Sequence, residues 1–423
     1  MTVNVHNTSD LIIRGITLQL MELKFPAPPR GWIEHHPVLG HNLGTPTVNY
    51  ANVGTAALAV CNDDIGRPLL VGFPGRQSLT VSPLWVSSAN IGWLSPLLDP
   101  YLNRPIYPGG TDQYNVSLRF GPAGTPATEL AGDIYRKFAA DYPFQIKWDD
   151  RRPIGALFLS SSDLNSPTNP RGWFNDKNLN TTSEAGRAQF KARLLAYADT
   201  SIKIIKEMGA QGMIAWDPEG QEFPHATSYL GDPRSLPAEV EPIIDEFFQK
   251  FTAAGLRTGI CIRPQLPVRA AYGGGVFQTE VPDPAANLIA KIAHAKKRWG
   301  ATLYYVDSNG DPNVPFDALI FKRVAEAHPD VLLMPEHENT QYYAYTAPYQ
   351  SFAHFGTTST PASVRSVYPG AFSVNYAADG PFEQKRAELV EAVRRGDILV
   401  FRGWFDDPNN AKIKSIYEEA RKR

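Results

Sequence analysis

The chain has only two cysteines in 423 residues, Cys61 and Cys261, so it carries no disulfide framework. Cys261 lies inside the apolar run GICI (259–262), where a buried free thiol is expected. No apolar run reaches the roughly 20 residues that a membrane helix needs. There is no basic block either: Lys plus Arg total 41 against 43 Asp plus Glu, for a net charge of −2. That balance excludes nucleic acid or an anionic membrane as the main partner. The opening MTVNVHNTSD lacks a charged-then-apolar leader, which fits a cytoplasmic protein or a secreted one whose signal has been removed. Repeats of solenoid length and low-complexity tracts are missing too. What is present is 43% hydrophobic and 11% aromatic residues, enough for a large core, in a length that suits two domains.

Residues 1–122 read as β structure, with strands expected at Leu11–Leu23, Val53–Val60, Pro68–Gly72, Leu79–Val86 and Tyr114–Phe120. Turns rich in Pro and Gly separate them, the pattern of an antiparallel β-sandwich. His35, His36 and His41 lie close together. No carboxylate or thiol sits at ligand spacing, so a surface loop is expected rather than a metal site. The aromatics Trp32, Trp85, Trp93, Tyr101 and Tyr107 are assigned to core or interface. Residues 123–150 form a helical connector, with one helix over Thr125–Asp141 ended by Pro143 and a charged boundary at 149–153.

From 151 to 423 strands and helices alternate. Strands are expected at Ile154–Leu159, Gly212–Trp216, Arg257–Ile262, Thr302–Val306, Val331–Met334, Ser351–Phe355, Ala371–Asn375 and Ile398–Phe401. Helical segments follow each of them except the fifth, whose loop is tyrosine-rich. Eight such units in about 270 residues are close to the ~250 of a (β/α)8 TIM barrel, an α/β fold. A doubly wound sheet is the alternative, but no Gly-rich phosphate fingerprint follows the first strand, and Gly273–Gly275 has no helix start beside it.

In a barrel, the carboxyl ends of the strands line one face and carry the site. The pivotal stretch is LYYVDSNGD (303–311), a buried-strand run that ends on the carboxylate of Asp307. Strand two ends at Trp216, Asp217 and Glu219, and strand three at Arg263. Strand five ends at Glu336, His337 and Glu338; strand six offers His354, strand seven Asn375, and strand eight Arg402 and Trp404. Paired carboxylates, one ionised and one protonated, are what glycoside hydrolysis requires, and environment separates their pKa values. Trp173, Trp216, Tyr229, Tyr342 and Trp404 supply flat rings on which a sugar could stack.

These residues resemble glycoside hydrolases built on (β/α)8 barrels, over roughly residues 150–423. The α-amylase-like and endo-α-N-acetylgalactosaminidase-like groups place an Asp at the end of strand four and a Glu at the end of strand five, where Asp307 and Glu336 stand. The chain departs from the amylase pattern at Tyr305, where amylases have Arg, and at Asn375-Tyr376, where they have His-Asp. The β domain ahead of the barrel is more similar to the galactosaminidase group, or to the α-galactosidase and α-glucosidase groups. Those last two put their acid on strand six, where this chain has His354. The resemblance implies a retaining enzyme acting on α-linked sugars without a cofactor, with Asp307 as nucleophile and Glu336, or its rival Glu338, as acid/base. Asp217 and Glu219 would bind sugar hydroxyls, while Arg263 and Arg402 would hold carboxylates or read an acidic substrate group. A metal-dependent barrel enzyme using Asp217, Glu219, Asp307, Glu336 and His337 is a second reading, although no His-x-His follows strand one. A non-catalytic carbohydrate-binding barrel is a third.

Overall fold

The computed structural model describes residues 2–13, 21–24, 30–36, 48–53, 56–62, 80–86, 91–97, 106–161, 166–221, 229–269, 276–311, 314–315, 318–338, 340–351, 357–380 and 382–422. Pro68–Gly72, His41, Tyr101, Gly273–Gly275 and His354 lie outside them.

The C-terminal part is an eight-stranded parallel sheet wrapped by helices. Its strands are β1 (Ile154–Leu157), β2 (Gly212–Ala215), β3 (Gly259–Ile262), β4 (Leu303–Val306), β5 (Leu332–Pro335), β6 (Tyr349–Ser351), β7 (Val374–Tyr376) and β8 (Ile398–Arg402). They are hydrogen-bonded in the order β5-β4-β3-β2-β1-β8-β7-β6. Between β5 and β6, Ala347 N donates to Leu333 O at 2.9 Å, which draws the ends of the row together into a barrel. The helices are α1 (Glu184–Glu207), α2 (Ile244–Ala253), α3 (Pro284–Trp299), α4 (Ala318–Ala327), α5 (Ala362–Val367), α6 (Phe382–Arg394) and α7 (Pro408–Arg421). A 3-10 turn, Thr340–Ala344, stands in the tyrosine-rich loop after β5. Ser183 and Asp283 cap α1 and α3 with their side chains.

Both faces of these strands are buried, as near-continuous apolar runs require. Alternation sorts their side chains. Ile214, Cys261, Tyr305, Met334, Val374 and Val400 pack together inside the barrel. Met213, Ile260, Tyr304, Val306, Leu333 and Phe401 belong to the cluster shared with the helices. Trp148 joins the inner cluster and donates to Gln211 Oε1 at 3.1 Å, tying the connector to the barrel.

Several boundaries differ from expectation. β6 is Tyr349–Ser351, not Ser351–Phe355, and β7 begins three residues later than predicted. The connector helix is two, Ala127–Leu130 and Gly132–Asp141, interrupted at Ala131, whose backbone leaves the helical region. Of the expected strand Leu11–Leu23, Leu11 and Ile12 are exposed and outside any strand, Ile13 forms an isolated bridge to Ile106, Met21–Lys24 is a strand, and residues 14–20 lie outside the described residues. The expected strand Val53–Val60 is instead an antiparallel pair, Val48–Val53 with Ala56–Asn62. The described N-terminal strands form antiparallel sheets of five and three. His35 and His36 lie in the strand Arg30–His36, not in a loop.

Candidate active site

Three strand ends rise side by side at the barrel mouth. Asp307 N donates to Ile262 O at 2.9 Å, and Glu336 N to Val306 O at 3.0 Å, so the ladder continues one residue past β4 and β5. By alternation Arg263 follows Cys261, Asp307 follows Tyr305, and Glu336 follows Met334, all on the inner face. Arg263 Nε donates to Asp307 Oδ2 at 2.7 Å, and Nη2 lies 2.5 Å from the same oxygen. Asp307 is 4% exposed. Burial pushes its pKa up to about 6, Arg263 pulls against that, and a hydrogen bond with the Glu336 carboxyl adds to the rise.

Ser308 turns the chain sharply out of β4 with φ 54°, a left-handed conformation that costs a non-glycine residue about 1 kcal/mol or more. The turn aims Ser308 N at Glu336 Oε2, 2.9 Å away. Asn309 and His337 then bond reciprocally: Asn309 Nδ2 to His337 O and His337 N to Asn309 Oδ1, both 2.9 Å. The loops carrying the two carboxyls are thus fixed to each other. His337 Nε2 lies 3.6 Å from Glu336 Oε2.

A chain of rings surrounds this group. Trp404 meets Phe158 edge-on at 5.2 Å, Phe158 stacks on Trp216 at 5.3 Å, and Trp216 lies 4.9 Å from Tyr305, itself 4.9 Å from Tyr349. Tyr229 joins at Phe158, 6.3 Å away. Trp216 and Tyr305 are nearly buried, whereas Tyr229, Tyr349 and Trp404 are half-buried and can reach a ligand. Phe158, Tyr305 and Tyr349 were not among the expected site residues, although strand alternation with Asp307 marks Tyr305 as its neighbour on the inner face.

Other expected residues stand elsewhere. Glu338 lies beyond the end of β5, so alternation does not pair it with Glu336. Its Oε2 accepts from Tyr343 Oη at 2.7 Å and from Gln350 Nε2, and burial raises its pKa to about 7. Asp217 accepts Leu159 N, Ser160 N and Ser160 Oγ, bracing the exit of β1 rather than presenting its oxygens to the mouth. Glu219 is 0% exposed with neither carboxyl oxygen bonded, and burial raises its pKa to about 8. Asn375, fully buried, falls on the outer parity of β7 and donates to Thr357 O at 2.9 Å. Trp173 is 0% exposed, packs on Phe190 and donates to Glu239 Oε1, so it is core and not a stacking platform. Tyr342 is equally buried, against Phe321. Arg402 reaches the inner face but pairs with Asp379 and Asp407. The five oxygen and nitrogen ligands of the metal-dependent reading are therefore not assembled, and no group of three or more potential ligands occurs among the described residues. Among the same residues no helix is long and apolar enough to cross a membrane.

No family model and no curated protein matches the chain. Solved structures do share its fold. An α-N-acetylgalactosaminidase from Bifidobacterium bifidum aligns over 99% of this chain and 77% of its own, with TM-score 0.50 and 12% identity. The galactosidase domain of an α-galactosidase-sucrose kinase aligns over 100% of this chain and 64% of its own, at TM-score 0.47 and 13% identity. An α-galactosidase from Geobacillus stearothermophilus aligns over 99% and 62%, at TM-score 0.47 and 11% identity. The chain thus spans a little under two thirds of the length of these last two, and at such identities the likeness is one of fold.

Proposed function

We propose that the protein is a retaining glycoside hydrolase acting on α-linked sugars, with Asp307 as nucleophile and Glu336 as acid/base. The observation that carries this reading is the pair of carboxyls at adjacent strand ends, Asp307 buried against Arg263 and Glu336 held by Ser308 N, the residue next to Asp307. Inverting enzymes hold their carboxyls ~6.5–9.5 Å apart to admit a water, and retaining ones ~5–5.5 Å apart. Carboxyls on neighbouring strand ends that interact with each other favour the second class.

Ser308 N occupies Glu336 Oε2 and leaves Oε1 to carry the proton. Glu336 donates that proton to the glycosidic oxygen as an Asp307 oxygen attacks the anomeric carbon, giving a glycosyl ester and a free alcohol. Glu336 then takes a proton from water, which attacks the anomeric carbon, expels the Asp307 carboxylate and releases the sugar with its anomer retained. Arg263 keeps Asp307 sufficiently acidic to be ionised near neutral pH. Tyr229, Tyr349 and Trp404 offer faces for the sugar. We assign residues 151–423 as the catalytic unit and 1–150 as the preceding β domain and connector. Aryl α-galactosides and α-N-acetylgalactosaminides are the first substrates to test, because structures sharing this fold carry those names.

The acid assignment is tested by Glu336→Gln beside Glu338→Gln. Glu336→Gln is expected to lose about 10²–10⁴-fold in kcat on alkyl glycosides and far less on aryl glycosides with good leaving groups. Glu338→Gln keeps the bonds to Tyr343 and Gln350 possible and should retain most activity on both. The opposite pattern would make Glu338 the acid.

A further inference from the structure

A buried ammonium lies behind the site. Lys291, in α3, is 0% exposed. Its Nζ donates to Gly231 O at 2.9 Å, Arg263 O at 2.7 Å and Gln265 O at 2.7 Å, which uses all three of its donors. One turn earlier Asn287 Nδ2 donates to Pro264 O at 2.8 Å and Gln265 O at 3.1 Å. The same face of α3 therefore grips three consecutive carbonyls at the exit of β3. From the other side, Arg263 N donates to Gly231 O at 2.9 Å. Gly231 has φ 61°, and a Cβ there would stand 2.6 Å from Arg263 N. Gln265 Nε2 carries the grip onward to Ser308 O, 3.1 Å away, in the loop of Asp307.

Burying a lysine is costly, since desolvation disfavours its charged form. Here burial lowers its pKa to about 8, with Asp232, 3.6 Å away, opposing the fall. Asp232 is itself bound by Arg234, and Glu219 is the other acid facing the ammonium. A methionine would fill the same space without that cost, so the charge and its three donors call for a reason in the segment they hold.

We propose that Lys291 is a positioning residue: it locks the backbone of Gly231, Arg263 and Gln265, and so holds the Arg263 guanidinium against Asp307. The inference rests on the reading of Asp307 as the reacting carboxylate. It makes the acidity of Asp307 depend on a group in the helix layer. The charged and titratable groups that face Asp307 directly are Arg263, Glu336, Cys261, Tyr229 and Tyr305.

The test is a carbon-13 carboxyl NMR titration of Asp307, identified by difference from Asp307→Asn, in the wild type, Lys291→Met and Asn287→Ala. Once the grip is lost, Arg263 pulls less on the carboxyl and its pKa rises. The expected rise is about one pH unit in Lys291→Met, a tenfold change in the ionisation constant, and about half a unit in Asn287→Ala. Asn287→Ala leaves every charge in place and removes the bonds to the Pro264 and Gln265 carbonyls together with the one Asn287 Oδ1 accepts from Arg234 Nη2 at 3.0 Å, so it decides the matter even if Lys291→Met does not fold. Folded variants with a lower Tm and an unmoved Asp307 would reduce Lys291 to a structural residue and overturn the proposal. A shift in Lys291→Met alone would assign the effect to lost charge and overturn it equally. The titration needs no substrate, so it stands apart from the glycosidase reading. If that reading holds too, the acid limb of kcat/KM moves up by the same amount.

Discussion

Asp307→Asn is expected to lower turnover of every substrate by roughly 10⁴-fold or more while leaving the fold intact. The amide matches the carboxylate in shape, so Arg263 and the β4 exit lose one charged partner and no volume. On the proposed reading the attacking oxygen is lost, and two other buried carboxyls are not free to replace it: Asp217 is committed to Leu159 and Ser160, and Glu338 to Tyr343 and Gln350. Removing the charge also removes the burial cost that pushes the Asp307 pKa up to about 6, so the variant should melt no earlier than the wild type above about pH 7. Kinetics with an aryl α-glycoside, run beside circular dichroism, check both halves. Retained turnover would move the nucleophile elsewhere.

Arg263→Met should have the largest effect on stability, and that effect should depend on pH. It leaves Asp307 buried without its counter-charge, which typically costs about 3–5 kcal/mol when the carboxyl is ionised. The sign follows from linkage. Asp307 already has a folded pKa of about 6, above its unfolded value of 3.8, so the folded state binds the proton more tightly. Stability is full below the unfolded value and falls as pH rises toward the folded one. Without Arg263 the folded value climbs further, and the loss continues into the neutral range. Denaturant melts should therefore show a small cost near pH 5 and the full cost near pH 8, with kcat/KM at pH 7 down about 10²–10³-fold, a barrier increase of about 3–4 kcal/mol. An equal loss of stability at both pH values would mean that Arg263 serves packing and not the charge of Asp307.

The barrel was legible because its strands are apolar runs separated by amphipathic helices, and that period does not depend on tertiary context. β6 was placed late because Phe352 and Phe355 make the following stretch look more strand-like than Tyr349–Ser351 does. The hairpin Leu266–Arg269 with Val276–Thr279 escaped notice, being four residues to a strand. One rule, that chemistry gathers at the carboxyl ends of barrel strands, selected Arg263, Asp307 and Glu336, which the structure brings side by side. Asp217 and Asn375 met the same rule and failed on a second, since they fall on the outer parity, with Met213 and Ala215 or beside Val374 and Tyr376. Trp173 shows the limit of reading aromatics in loops: a loop residue can still be the core of its own loop. Tyr305 and Phe158 carry no distinguishing signal, because a ring inside a barrel and a ring at its mouth have the same sequence context. Lys291 carried no signal at all, since a lysine on a helix is ordinarily solvated and only tertiary packing buries it.

The most direct measurement is the mass of the peptide that contains Asp307, isolated after acid quench during turnover of an activated aryl α-galactoside or α-N-acetylgalactosaminide. The two-carboxylate account predicts a peptide heavier by one glycosyl unit, with the ester on Asp307 and none in Asp307→Asn. A glycosyl ester on another carboxylate, or sustained turnover with no ester and an inverted anomer as first product, would contradict it.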